Sequence, residues 1–139
     1  MLLLMLMLGF LPAGCSRTAS DTEVVCKTFV YSVKNGDSLR LDRYTYAPAI
    51  KVGEQAPCMI FVFGGAFIHG TRDAESYRPF FEYMARENGY TVVSIDYRLG
   101  LKEPLAAGKL SPESFPQLLP QTVLMAVEDL YDATSYVAG

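Results

Sequence analysis

Gly64 and Gly65 directly follow the apolar run Cys58-Met59-Ile60-Phe61-Val62-Phe63, and they are the first residues whose type and place could do chemistry. Without a Cβ, the backbone there can bring bare N–H groups close to an anionic centre. Ala66, Phe67, Ile68 and His69, the only histidine, come next. A second capable group, Asp96-Tyr97-Arg98, closes another apolar run, Thr91-Val92-Val93-Ser94-Ile95. The spacing of Cys15, Cys26 and Cys58 fits no metal pattern and one histidine cannot complete one, so neither a metal nor a cofactor is expected. No Gly-x-Ser-x-Gly elbow occurs, so the residues present carry no serine nucleophile of that kind. Taken alone, a glycine pair after a strand is also compatible with a plain turn. The surrounding elements have to decide.

Stepping along the chain, Val24 to Val33 is rich in β-branched and aromatic residues and predicts a strand. Lys34-Asn35-Gly36-Asp37 is turn chemistry, and the alternation from Leu39 to Tyr46 predicts a strand pairing back on the first. The run 58–63 shows no alternation and predicts a strand buried on both faces. Ser76 to Asn88 has helical periodicity, with Tyr77, Phe80, Phe81 and Met84 on one face and Asn88-Gly89 as its stop. Thr91 to Ile95 is a second buried-type strand. Leu99 to Pro120, with Pro104, Pro112, Pro116 and Pro120, reads as a long excursion. Val123, Val127, Leu130, Tyr131, Thr134 and Val137 then mark the apolar face of a second helix. Strands alternating with helices imply an α/β fold with a largely parallel sheet, and handed crossovers place the last strand beside its predecessor.

At 139 residues, half of them apolar, the chain can bury one modest core. A net charge of −3 without a basic cluster argues against nucleic acid as a partner. Leu2 to Leu11 is too short to span a bilayer, which takes about 20 apolar residues, and has the length of a signal-peptide core. Leu11-Pro12-Ala13-Gly14-Cys15 resembles the lipobox of bacterial lipoproteins, which implies lipidation of Cys15. The expected organisation is a signal peptide over 1–14, a polar tether over 15–23 and a folded domain over 24–139. Export to a bacterial periplasm or cell surface, with a membrane anchor through the lipid, follows from that reading. Cys26 and Cys58 could pair in an oxidising compartment, but two unpaired core cysteines are the preferred reading.

Phe63-Gly64-Gly65-Ala66-Phe67 resembles the His-Gly-Gly-Gly segment after the third strand of carboxylesterase and hormone-sensitive-lipase-like α/β-hydrolases. Phe63 stands where that family has His, and Ala66 where it has the third Gly. Asp96-Tyr97-Arg98-Leu99-Gly100 is similar to the family's next strand-end motif, and Phe115-Pro116 followed by Ala126 to Leu130 is similar to its following helix. The resemblance implies the N-terminal half of an α/β-hydrolase fold: an antiparallel hairpin, then two buried parallel strands alternating with two helices. It also implies oxyanion-hole N–H groups at Gly64, Gly65 and Ala66, and a scaffold role for Asp96 and Arg98. His69 precedes any nucleophile and reads as a solvated loop residue. The expected parent acts on a small-molecule or carbohydrate ester, and the chain stops before the nucleophile, acid and base, so it is expected to be inactive alone. The alternatives are a non-catalytic surface lipoprotein and a prolyl-oligopeptidase-type peptidase.

Overall fold

The computed structural model describes residues 23–51 and 53–139, so the signal segment 1–14, Cys15 and all of the tether except Glu23 lie outside the described residues. β1 (Val25–Lys34) and β2 (Asp37–Thr45) form an antiparallel hairpin. Its turn holds Asn35 at φ 53° and Gly36 at φ 89°, the positive-φ pair that matches the twist of the flanking strands. The register slips between Val30 and Ser32, leaving Tyr31 as an unpaired bulge residue whose side chain is buried.

β3 (Cys58–Val62) leads through α1 (Arg78–Asn88) into β4 (Thr91–Ile95), which lies parallel to β3. β4 also pairs antiparallel with β2, giving the order β1-β2-β4-β3. The sheet expected to be largely parallel is therefore mixed, because the hairpin's second strand docks on β4. A single 3-10 turn (Ala47–Ala49) links β2 to the loop before β3, and α2 (Lys102–Ala106) and α3 (Phe115–Ala138) complete the described elements.

Each face of the sheet carries its own core. Tyr31, Leu39, Leu41, Val93, Ile95 and Ala133 of α3 pack on one side. Tyr44, Val92 and Phe81 of α1 pack on the other, joined by Met59, Phe61, Tyr77 and Met84. Full burial of a Phe81-sized side chain contributes roughly 1.5–3 kcal/mol. α1 closes on Gly89 at φ 68°, and the Tyr90 N–H returns to the Met84 carbonyl at 3.2 Å, so the predicted stop is a left-handed glycine cap.

Four expectations are corrected. β3 is only half-buried because it is the outer strand of the described sheet, while β4 takes the doubly covered place. Phe80 faces solvent at 47 % exposure, leaving Phe81 and Ala85 as the buried residues of α1. Cys26 and Cys58 are free thiols, as preferred, but exposed and not in the core. They sit on the two outer strands, about 14 Å apart by strand spacing, so they do not pair.

The fourth correction concerns α3. It begins at Phe115, eight residues before the periodic face begins, and includes Pro120. Pro116 lies in its first turn, where a missing N–H costs nothing. Ser111 and Ser114 exchange hydrogen bonds just before it, with the Ser111 N–H donating to Ser114 Oγ at 2.8 Å. The face turned inward is Thr122, Asp129 and Ala133, not the apolar stripe: Val127 and Tyr131 are 56 % and 72 % exposed. Of the expected face, Val137 does pack against the core.

Candidate active site

Gly64, Gly65 and Ala66 emerge from the C-terminal end of β3, where a parallel strand delivers its loop to the rim of the sheet. Ala66 and Phe67 both have left-handed backbones, at φ 55° and 60°. Each such non-glycine residue costs about 1–3 kcal/mol and persists only where its surroundings over-determine it. Gly65 is obligatory, since a Cβ on it would lie 1.8 Å from the His69 carbonyl oxygen. That carbonyl passes close because Ile68 and His69 N–H groups turn back onto the Gly65 oxygen, at 3.0 and 3.2 Å. Among the described residues, the N–H groups of Gly64, Gly65 and Ala66 donate to no protein acceptor. Three consecutive donors without a partner are available to an oxyanion. The His69 side chain is exposed, as a solvated loop residue should be.

Tyr97 holds the near end of this loop. Its hydroxyl donates to the Phe63 carbonyl at 2.9 Å, and its ring packs on Phe63 with centroids 4.6 Å apart. Burial pushes the Tyr97 phenol up, so it stays a neutral donor. The Leu101 N–H donates to the Phe67 carbonyl at 3.1 Å, tying the strand-end motif to the loop.

Arg98 is a scaffold residue. Asp129, fully buried, accepts the Arg98 backbone N–H at 2.8 Å and its Nε at 2.9 and 3.0 Å. Arg98 Nη2 reaches the Met125 carbonyl at 3.2 Å and also pairs with Glu128. The hydrogen bond it donates to Asp129 raises the Arg98 guanidinium above its ordinary value despite desolvation. Gly100 lets α3 approach, because a Cβ there would meet Thr122 Oγ1 at 2.7 Å. Asp96 accepts the Arg40 N–H at 3.2 Å, and its own carbonyl accepts the Tyr31 hydroxyl at 2.5 Å. Arg72, which sequence reasoning passed over, lies 3.0 Å from Asp96 and 3.1 Å from Asp42. Nothing local marks this trio. Its members come from β2, the loop and the end of β4.

A hollow of about 540 Å³ is lined by Leu39, Arg98, Leu99, Lys102 and Met125 but by none of residues 64–66. Among the described residues no group of three His, Cys, Asp or Glu side chains converges to hold a metal.

A mixed sheet in the order β1-β2-β4-β3, helices on both faces and a glycine loop at the end of β3 define the front half of an α/β-hydrolase fold. The same fold is seen in an esterase of the planctomycete Thermogutta terrifontis, at a TM-score of 0.57 and 24% identity, over 81% of this chain and 33% of that one. Residues 44–108 match the BD-FAE family model. A "Probable N-octanoylanthranilate hydrolase" of Rhodococcus erythropolis is 36% identical over 77 residues, 55% of this chain and 16% of that protein. A "Probable carboxylesterase" of Arabidopsis thaliana is 31% identical over 85 residues, 60% of this chain and 26% of that protein. In these matches the chain is similar to the carboxylesterase and hormone-sensitive-lipase-like α/β-hydrolases, and it spans a minor part of the length of the relatives it matches.

Proposed function

We propose that the chain supplies the oxyanion side of a carboxylic ester hydrolase acting on a small-molecule or carbohydrate ester. The carrying observation is the run of free N–H groups at Gly64, Gly65 and Ala66, held on a strained turn. Attack on an ester carbonyl turns its oxygen into an alkoxide. Donors fixed at about 2.7–3.1 Å from that oxygen stabilise the transition state more than the substrate, each worth about 10²–10³ in rate. Fixing them in advance means no reorganisation is needed when charge develops. The nucleophile, acid and base come from outside these 139 residues, so the chain by itself is inactive. The relatives' names, hydrolase and carboxylesterase, support the reaction class. Leu11 to Cys15 supports export and lipid anchoring at the periplasmic or cell-surface side of a bacterial membrane.

Titrating the isotope-labelled chain with acetate tests the oxyanion reading: the amide protons of residues 64–66 should move downfield and saturate, and unmoved amides would sink it. The chain should hydrolyse p-nitrophenyl acetate no faster than its denatured control, and saturable turnover would place the nucleophile within it. Mass spectrometry of the N-terminal peptide from a bacterial host should find acylated Cys15. An intact Met1 would refute the anchor.

A further inference from the structure

The loop from Phe63 to Tyr77 has to hold two left-handed non-glycine residues with little regular structure of its own. Its neck is tight. A Cβ on Gly70 would lie 2.5 Å from the Phe63 ring and 2.7 Å from the Gly64 carbonyl oxygen, so residues 63–64 and 70 touch across the base. Two residues beyond this neck stands Arg72, its side chain only 15 % exposed. Its Nε faces Asp42 on β2 at 3.1 Å, its Nη1 bonds Asp96 beyond β4 at 3.0 and 3.2 Å, and its carbonyl accepts Ser94 Oγ at 2.8 Å. Asp42 is itself buried and held by the Thr28 hydroxyl at 2.6 Å. The guanidinium therefore ties the far side of the neck to Asp96 by hydrogen bonds and to the buried Asp42 carboxylate by charge, its Nε having no aligned acceptor, while the Tyr97 hydroxyl fastens the near side.

We infer that Arg72 is the positioning residue of the oxyanion segment: through Asp42 and Asp96 it closes the Phe63–Gly70 neck and so holds the Gly65 and Ala66 N–H groups outward. The inference rests on the oxyanion reading for its purpose but not for its geometry. A guanidinium can bridge both carboxylates. A lysine ammonium at the same place is a point charge that serves one.

The test is residue-resolved amide hydrogen exchange on the full chain and on Arg72→Met and Arg72→Lys. The amides of Ile68, His69 and Leu101, which bond the Gly65 and Phe67 carbonyls, report the loop, and R72M should speed their exchange relative to that of Val92–Ser94 by at least about tenfold. R72K should fall between R72M and the parent. Equal acceleration of loop and β4 would mean a merely structural arginine and overturn the inference. If R72M does not fold, R72K decides alone: a selective rise of about threefold or more at Ile68, His69 and Leu101 supports the role, and parent-like exchange overturns it. Acetate titration of the same samples separates the two readings. Unmoved parent amides with selective loop loosening in the variants would sink the oxyanion reading and keep the positioning role. Shifted parent amides without selective loosening would do the reverse.

Discussion

Replacing Asp129 by Asn tests whether an ion pair, and not apolar periodicity, sets the rotation of α3. The Asp129 carboxylate has no exposed surface and takes three donors of Arg98: the backbone N–H at 2.8 Å, Nε at 2.9 and 3.0 Å, and Nη2 at 2.8 Å. Asn keeps one oxygen, enough for the backbone N–H, but turns an NH₂ donor toward a guanidinium that has lost its buried counter-charge. Breaking one side of a buried pair costs about 3–5 kcal/mol. Glu128 stays beside Arg98 but is half exposed, so it screens only part of the loss, and about 3 kcal/mol is the expected value. Against a total of about 5–15 kcal/mol for an ordinary domain, that is a large fraction. Urea unfolding followed by far-ultraviolet circular dichroism should show a midpoint about 1–2 M lower. Glu128→Gln, touching the same guanidinium from the solvent side, should move the midpoint far less. A D129N midpoint equal to that of E128Q would refute the reasoning, because α3 would then be held by its apolar contacts alone.

Gly65→Ala should destabilise the chain by about 2–4 kcal/mol, since its Cβ would overlap the His69 carbonyl, whereas Gly64→Ala, with open space around it, should cost under about 1 kcal/mol; equal melting shifts would contradict the loop geometry. The outer strand β3 carries no charge from Cys58 to Val62, so the chain should associate as concentration rises, and Val62→Lys at its 43 % exposed end should return it to monomer by light scattering. A monomeric parent at high concentration would count against an open edge. Hydrogen bonds from Lys34, and then Arg98 for Glu128 and Ser32 for Asp132, hold both carboxyls below their ordinary 4.5 and 3.8. Folded values below unfolded ones give stability that is complete above about pH 4.5 and lost as pH falls through the depressed values. Lys34→Met should therefore flatten the acid limb of a melting-temperature profile, and an unchanged limb would rule the pairing out.

Much of the architecture is legible in local residues. Asn35-Gly36 specifies a hairpin because both positions accept positive φ, and Asn88-Gly89 stops α1 because glycine tolerates the left-handed cap. The uniform runs at 58–63 and 91–95 mark strands, and the order of the glycine loop, the Asp96-Tyr97-Arg98 motif and the following helix carries the resemblance to the α/β-hydrolases. Gly64, Gly65 and Ala66 could be named from that order. Their left-handed turn and free N–H groups became visible only with the carbonyls of Gly65 and His69 in place.

Tertiary structure alone decided which elements met. Composition gives β3 and β4 the same apolar character, but only β4 has a strand on either side, so burial separated two runs that read alike. Periodicity located an apolar stripe on α3. Which stripe faced the sheet depended on a carboxylate meeting Arg98 and on Thr122 fitting over Gly100. Arg72, Asp42 and Asp96 carry no common local signal because their attraction exists only once β2, the loop and β4 are adjacent. Periodicity reports how one element partitions between water and an apolar surface. An ion pair between distant residues depends on a separation that no single element contains.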